Sequence, residues 1–318
     1  MRQWLVLLLA LGLAACGDPD TPAPEREPVS DETFDEATER RADAAHMDEL
    51  RARWLELEHA QHQPAPATEP PPEPDQPSVA LPSEPVSAPV SGMAGEYPAI
   101  AILIDDVGHS LTQGRRLLAL PEPVSLAILP HTQAARTLAE EAAARGRTVI
   151  LHQPMENGAG LSIGPGGLYS GMPAAELQQV LRTNLDSFGH IRGLNNHMGS
   201  RLTAERPAMD QVMQVLRERE LFFIDSRTTH HTQAAFAAEA AGVPHLSRNV
   251  FLDNERSAEA IGRAFDRALE VARREGQALV IGHPYPQTLE FLEWRLSGDL
   301  VAEEGVEVVD VVELLGRE

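Results

Sequence analysis

The chain has 318 residues, with 48 acidic and 26 basic side chains and a formal net charge of −22 at pH 7. A chain this acidic, with no basic stripe, is not expected to bind nucleic acid, because phosphate binding requires clustered Lys and Arg. The single cysteine, Cys16, excludes disulfides within the chain and zinc sites built from thiolates. No glycine-rich nucleotide-binding motif follows any of the predicted strands.

Residues 1–15 are typical of a bacterial lipoprotein signal peptide. Arg2 supplies a positive charge, residues 4–13 form an apolar run too short for a comfortable membrane span, and two small alanines precede Cys16. Residues 13–16 resemble a lipobox, which implies cleavage before Cys16 and lipid attachment to its sulfur. We therefore expect a lipid-anchored protein of the bacterial periplasm, with the outer membrane favoured. The alternative is an ordinary secretory signal with an incidental cysteine.

Residues 16–97 are predicted to form an acidic, proline-rich tether between the lipid and a folded domain. From residue 17 onward this segment has 19 acidic residues against 5 arginines, a net charge of −14. A three-four-three apolar spacing predicts a short helix at about residues 31–61, which could dock an envelope protein partner or form only transiently. That spacing is made by Met47, Leu50, Trp54 and Leu57. Residues 64–89, rich in proline, are typical of an extended linker.

Residues 98–318 alternate between strand-like and helical patterns and predict one α/β domain. The predicted strands cover residues 99–104, 124–129, 148–151, 191–195, 221–224, 249–252 and 278–281. The predicted helices cover residues 132–145, 174–188, 205–219, 258–274 and 286–296. This alternation favours seven main parallel strands with helices outside, and in a barrel the site lies at the carboxyl ends of the strands. A late strand at 306–309 and a short closing helix follow.

Carboxylates and histidines follow nearly every predicted strand. Asp105 and Asp106 end the first strand, and paired carboxylates suit metal-assisted hydrolysis, in which one ligates the cation and the other takes a proton from water. The alternative is a helix N-cap with a solvated neighbour. The other residues at strand ends are His131, His152, Glu156, His197, Asp225, Asp253 and His283. Their shared placement at one rim favours a functional site. Asp253 either orients a group in the cleft or, as the preferred interpretation, is a turn or N-cap residue before the next helix.

Residues 158–171 form a long glycine-rich insertion after the third strand. This segment is interpreted either as a lid or substrate wall, or as a flexible surface loop.

Five strings in the domain resemble the divergent branch of the polysaccharide deacetylases. They are I-D-D-V-G-H at 104–109, L-H-Q-P-M-E at 151–156, N-N-H-M-G-S-R at 195–201, F-F-I-D-S-R-T at 222–228 and V-I-G-H-P at 280–284. The resemblance implies an irregular (β/α) barrel, a divalent metal with zinc favoured, and hydrolysis of N-acetyl groups on extracellular glycans. Such an enzyme cleaves a C–N amide bond that is not a peptide bond.

The resemblance also implies roles for individual residues. It makes Asp105 the general base and Asp106 a metal ligand. His152 matches the first histidine of the family's H-x-x-x-H motif, whose second histidine is replaced by Glu156. Either Glu156 or His197 is expected to complete the metal site.

Two further residues carry an implied role. His283 matches the catalytic acid, and Asp225 either supports the base through polar contacts or forms a structural ion pair. The family's Arg-x-Pro-Tyr segment is replaced here by Asn-Asn-His-Met-Gly at 195–199. The main hypothesis is therefore a metal-dependent carbohydrate deacetylase of the cell envelope. The alternatives are an inactive domain that binds an envelope glycan or protein, and a hydrolase of a bond other than N-acetyl.

Overall fold

The computed structural model describes residues 97–317. The predicted signal peptide, Cys16, the tether and its helix at 31–61 lie outside the described residues. The strands are β1 (Ala99–Val107), β2 (Val124–Ile128), β3 (Val149–Met155), β4 (Ile191–Met198), β5 (Phe222–Asp225), β6 (His245–Ser247), β7 (Val250–Phe251), β8 (Gln277–Gly282) and β9 (Glu307–Val309). The helices are α1 (Leu111–Leu118), α2 (Ala135–Ala144), α3 (Ala174–Leu185), α4 (Arg206–Glu218), α5 (Ala234–Ala241), α6 (Ala258–Glu275), α7 (Pro286–Arg295), α8 (Leu300–Glu304) and α9 (Val311–Leu315).

All strands are parallel and form one curled sheet in the order β6-β5-β4-β3-β2-β1-β8-β7, with β9 beside the first residues of β1. Helices follow most of the strands, as parallel connections require. The predicted α/β barrel-type fold is therefore confirmed. None of the helices among residues 97–317 is long and apolar enough to cross a membrane.

One segment pairs with both outer edges of the sheet. β6 pairs with β5 and β7 pairs with β8, and only Arg248 and Asn249 separate these two short strands. The Arg248 amide donates to the Asp225 carbonyl at 3.0 Å, and the Asn249 amide donates to the Leu279 carbonyl at 2.9 Å. The sequence prediction missed β6, because a three-residue strand is too short to show a hydrophobic period.

The side chains of β1 alternate between two buried clusters, as the two-residue period of a strand requires. Even-numbered side chains from Ile100 to Ile104 pack with residues of the surrounding helices. Odd-numbered side chains from Ala99 to Leu103 belong to an inner cluster, which consists of strand residues and α9. The inner cluster comprises Ala99, Ala101, Leu103, Ala127, Ile150, Phe222, Ile224, Leu246, Leu279, Ile281, Val309, Val311 and Leu314. Side chains further along the same face of each strand, toward its carboxyl end, therefore point toward one central site.

Candidate functional site

Strand alternation explains which polar residues meet at the carboxyl end of the sheet. Four of them lie two residues beyond an inner-cluster residue. Asn195 lies in register with Ile224 of that cluster and His197 lies two residues beyond Asn195, so all six side chains lie on the same face. Asp105 follows Leu103, His152 follows Ile150, Ser226 follows Ile224 and His283 follows Ile281; Asn195 pairs with His152, and His197 is two residues further along β4. All six are buried, with at most 8% of the surface of each exposed.

Asp106 reaches the same site by a different route. Regular alternation would turn its side chain toward the helices, away from Asp105. Instead its backbone is left-handed, with φ of 56°, and the pairing of β1 with β2 shifts register between Ile104 and Val107. Asp tolerates this conformation better than most residues, at a cost of about 1–3 kcal/mol. The irregularity lets two consecutive carboxylates face one site.

Asp106, His152 and His197 form a compact group of potential metal ligands. Asp106 Oδ1 lies 3.2 Å from His152 Nε2 and 2.9 Å from His197 Nδ1, and the two ring nitrogens are 3.2 Å apart. Ligand atoms of a tetrahedral zinc, with bonds of about 2.0–2.1 Å, are about 3.3 Å from one another. The three distances between the potential ligand atoms are close to that spacing.

The buried oxygen of Asp106 supports the same interpretation. Among residues 97–317, no donor makes a hydrogen bond of regular geometry to Asp106 Oδ1, although the atom is buried. An unsatisfied buried carboxylate oxygen is costly unless a cation compensates it. One carboxylate and two imidazoles are also a donor set typical of zinc and other divalent transition metals. The residues present therefore fit a divalent metal.

The two neighbouring carboxylates have opposite pKa shifts. Burial raises the pKa of the Asp105 carboxyl, against the opposing effect of the His152 and His283 imidazoles. Burial also opposes the charge on Asp106, but His197, His152 and His283 outweigh it and hold the pKa of that carboxyl well below its ordinary value. For His152, burial is outweighed by Asp105 and Asp106, which raise the pKa of the imidazole. Opposite pKa shifts of this kind suit a site in which the carboxylate with the lowered pKa, Asp106, is an anionic ligand and the one with the raised pKa, Asp105, accepts a proton.

Asp105 is oriented by Asn195. Asn195 Nδ2 donates to Asp105 Oδ1 at 2.7 Å, and Asn195 Oδ1 lies 2.8 Å from His152 Nδ1. The other carboxylate oxygen, Asp105 Oδ2, lies 3.7 Å from His152 Nε2 and so faces the ligand group.

His283 lies beside the ligand group and is oriented by Asp253. Asp253 Oδ1 lies 2.9 Å from His283 Nδ1, while Asp253 Oδ2 accepts hydrogen bonds from the His283 amide and from Thr288 Oγ1. The imidazole stacks between the rings of Phe251 and Tyr285, with centroids 5.3 and 5.4 Å away. His283 Nε2 is therefore directed at the site, 3.9 Å from Asp106 Oδ2.

Two predicted site residues lie elsewhere. Glu156 accepts a hydrogen bond from the Ser170 amide at 2.6 Å and lies 3.5 Å from Arg201, so it is not part of the ligand group. Asp225 lies on the face of β5 opposite Ile224. There it accepts hydrogen bonds from the Arg227 amide and Thr232 Oγ1 instead of contacting Asp105.

No role was assigned to Asn195 or Ser226 from the sequence. For Asp253 the preferred interpretation, a turn or N-cap residue, is wrong, because Ser257 caps α6 and Asp253 binds His283, which agrees with the alternative that it orients a group in the cleft. Strand alternation could have indicated Ser226 in place of Asp225, since Ile224 is the apolar residue of the inner face. Nothing local indicates the contact between Asp253 and His283, which are 30 residues apart.

The glycine-rich insertion is tied to the barrel beside this site. Gln153 Nε2 and Asn184 Nδ2 both donate to the Gly166 carbonyl, at 2.9 and 2.7 Å. Asn184 also lies 2.8 Å from His131 Nε2, and Leu168 pairs with Met155 at the end of β3. These contacts favour a fixed wall over a loosely attached loop.

Comparison with known proteins identifies a family and several similar proteins. A family model described as divergent polysaccharide deacetylase matches residues 102–315. An uncharacterized protein of Haemophilus influenzae is 39% identical over 194 residues, which cover 61% of this chain and 69% of that protein. The uncharacterized protein YibQ of Escherichia coli is 36% identical over 208 residues, which cover 65% of this chain and 64% of that protein.

A solved structure is also similar. The crystal structure of an uncharacterized protein from Agrobacterium tumefaciens C58 has a TM-score of 0.66 and 26% identity, and the match covers 71% of this chain and 92% of that one. The sequence match, the curled parallel sheet and the residues at its carboxyl end lead to one conclusion. The chain belongs to the divergent polysaccharide deacetylase family.

Proposed function

We propose that this protein is a metal-dependent hydrolase of the cell envelope that removes acetyl groups from an N-acetylated glycan. The observation that carries the proposal is the set of groups that the site brings together. Asp106, His152 and His197 form the ligand group, a buried carboxylate, Asp105, lies 3.7 Å from His152, and a buried imidazole, His283, lies 3.9 Å from Asp106. Metal-assisted amide hydrolysis uses these three functions side by side: a cation, a base for the water and an acid for the leaving amine.

The ligand group would hold the metal. A divalent cation bound by Asp106, His152 and His197, with zinc favoured by this donor set, would polarise the amide carbonyl and lower the pKa of a water. Asp106 supplies the negative charge, since the surrounding imidazoles hold its pKa well below the ordinary value.

Asp105 would act as the general base. Its Oδ1 is occupied by the amide of Asn195, so Oδ2, on the side of the ligand group, is the atom that accepts the proton of the attacking water. The oxygen of that water forms the new bond to the acetyl carbon. Burial raises the pKa of Asp105, and a higher pKa makes a carboxylate a stronger base.

His283 would act as the general acid. Asp253 occupies Nδ1, so the proton leaves from Nε2, which is directed at the site. When the C–N bond breaks, the nitrogen of the glycan takes this proton and leaves as an amine. The stacked rings of Phe251 and Tyr285 keep the imidazole plane in a fixed orientation.

The location of the protein is part of the proposal and rests on the sequence outside the described residues. A lipid on Cys16 would anchor the chain to a membrane of the bacterial periplasm, and residues 16–97 would let the domain reach the glycan. Docking of an envelope protein on the helix at 31–61 stays a prediction.

The test is metal content and acetate release by the purified full chain. Dialysed, zinc-loaded protein is expected to retain near-stoichiometric metal by mass spectrometry and to release acetate from N-acetylglucosamine oligomers or peptidoglycan fragments. Asp106→Ala and His152→Ala should lose both properties, whereas Asp105→Asn should keep the metal and lose activity. Glu156→Gln is the matched control and should keep both.

Two results would contradict the proposal. A folded parent protein that retains no metal would exclude the mechanism above. A parent that retains metal but releases no acetate from the panel would favour a glycan-binding domain or hydrolysis of a different bond.

A further inference from the structure

We infer that Asn195 and Ser226 are positioning residues that fix the tautomer of His152. They do so through a chain of hydrogen bonds that starts at a backbone carbonyl. The donor and acceptor roles at each step follow from those at the step before. The inference rests on the proposed metal site and adds the groups that keep one of its ligands ready to bind. It depends on which nitrogen of His152 carries the proton, and four contacts decide that question.

The chain of hydrogen bonds begins at a backbone carbonyl. Ser226 Oγ donates its only hydrogen to the Asn196 carbonyl at 3.0 Å. The same oxygen lies 3.1 Å from Asn195 Nδ2, so in that contact it must accept. Ser226 therefore requires the amide nitrogen of Asn195, and not the amide oxygen, on its side.

Asp105 imposes the same requirement. Asn195 Nδ2 lies 2.7 Å from Asp105 Oδ1, and an ionised carboxylate only accepts hydrogen bonds. The two hydrogens of the Asn195 amide thus have two acceptors, Ser226 Oγ and Asp105 Oδ1. A flipped amide would place its oxygen against both of them. All three side chains are buried, and Asn195 has no exposed surface, so water cannot compensate such a flip.

The tautomer of His152 follows. With both amide hydrogens used, Asn195 Oδ1 faces His152 Nδ1 at 2.8 Å and can only accept. His152 Nδ1 must therefore keep its proton, which leaves Nε2 as the nitrogen that can bind a metal. Nε2 is the nitrogen that lies 3.2 Å from Asp106 Oδ1 and belongs to the ligand group. Outer hydrogen bonds of this kind orient histidine ligands, and their loss costs about 10- to 100-fold in metal affinity.

The direct test is nitrogen NMR of the full chain labelled at histidine, recorded with and without zinc. In both states, His152 Nδ1 of the parent is expected to show the shift of a protonated ring nitrogen. Asn195→Ala should give a mixture of tautomers and a zinc affinity about 10- to 100-fold lower by chelator competition. Ser226→Ala should lower zinc affinity less than Asn195→Ala.

Matched controls separate positioning from general stability. Asn184→Ala removes another buried amide, and Ser125→Ala removes a buried hydroxyl that bonds Asp310 near the start of β2. Both should lower the melting temperature while leaving the His152 tautomer and zinc affinity unchanged. An unprotonated His152 Nδ1 in the parent, or a parental Nδ1 shift and zinc affinity in Asn195→Ala, would overturn the inference. Because the NMR reading needs neither metal nor substrate, it remains decisive even if the protein proves inactive.

Discussion

Replacing Asp253 with Asn should disable His283 without disturbing the metal ligands. Asp253 Oδ2 accepts two hydrogen bonds, from the His283 amide at 2.6 Å and Thr288 Oγ1 at 2.8 Å, whereas Oδ1 lies 2.9 Å from His283 Nδ1. An amide has one oxygen, so that oxygen is expected to stay with the two donors. The NH₂ group then faces Nδ1, which must become an acceptor.

The magnitude follows from the contact that is lost. Protonated His283 would present N–H to an NH₂ group, so the charge-assisted hydrogen bond to Asp253, worth about 1.5–3 kcal/mol, disappears. If that energy is lost from the transition state, kcat falls by about 10- to 150-fold. KM and zinc affinity should stay near the parent values, because the hydrogen bonds of Asp253 described above go to His283 and Thr288.

The assay is steady-state acetate release by zinc-loaded parent and variant, with zinc affinity and thermal unfolding measured on the same samples. Asp310→Asn is the matched control. Its carboxylate also accepts several hydrogen bonds, including those from Ser125 and Thr148, but it lies at the opposite end of the barrel. The control should lose stability and keep kcat. Parental kcat in Asp253→Asn, or an equal fall in Asp310→Asn, would refute the reasoning.

Three further substitutions test other parts of the structure. Gly166→Ala would place Cβ 2.4 Å from Asn184 Oδ1 at a φ of +74°. The unfolding free energy, measured by urea denaturation, should therefore fall by about 1–3 kcal/mol, and KM should rise. An unchanged KM would contradict the interpretation of residues 158–171 as a substrate wall. Burial raises the pKa of Asp225 above its ordinary 3.8, so its stabilising contribution is full below that pH and is lost as pH rises through the folded pKa. The unfolding free energy of Asp225→Asn minus that of the parent should therefore increase over this window, and a flat difference would argue against the raised pKa. Glu156→Gln should retain zinc, whereas Asp106→Ala should lose it. Equal loss of zinc in both variants would indicate that Glu156 is a metal ligand.

Much of the site was predictable because strand alternation is a local property. The inner face of β1 ends at Leu103, so Asp105 follows on that face, and the same count from Ile281 leads to His283. In β5 the inner-face residue is Ile224, so the next residue on that face is Ser226, and Asp225 lies on the opposite face. The expectation that Asp225 supports the base therefore conflicts with the periodicity of its own strand.

The third member of the ligand group depended on pairing between strands. His152 lies opposite Asn195 in the register of β3 with β4, which brings His197, at the end of β4, close to His152 and Asp106. Glu156 is only four residues from His152, yet it turns to the Ser170 amide. Spacing along the chain describes one strand and carries no information on its neighbour, so both residues remained candidates until the register was known.

The sequence by itself determined the acidic, lysine-free composition, the alternation of strands and helices, and the gathering of His and Asp residues at strand ends. These features follow from residue counts and from apolar periods within single elements. Only the tertiary structure decided the left-handed turn of Asp106, the pairing of one segment with both sheet edges, and the contact of Asp253 with His283. Each of these depends on backbone dihedrals or on contacts between distant residues, which hydrophobic periodicity does not encode.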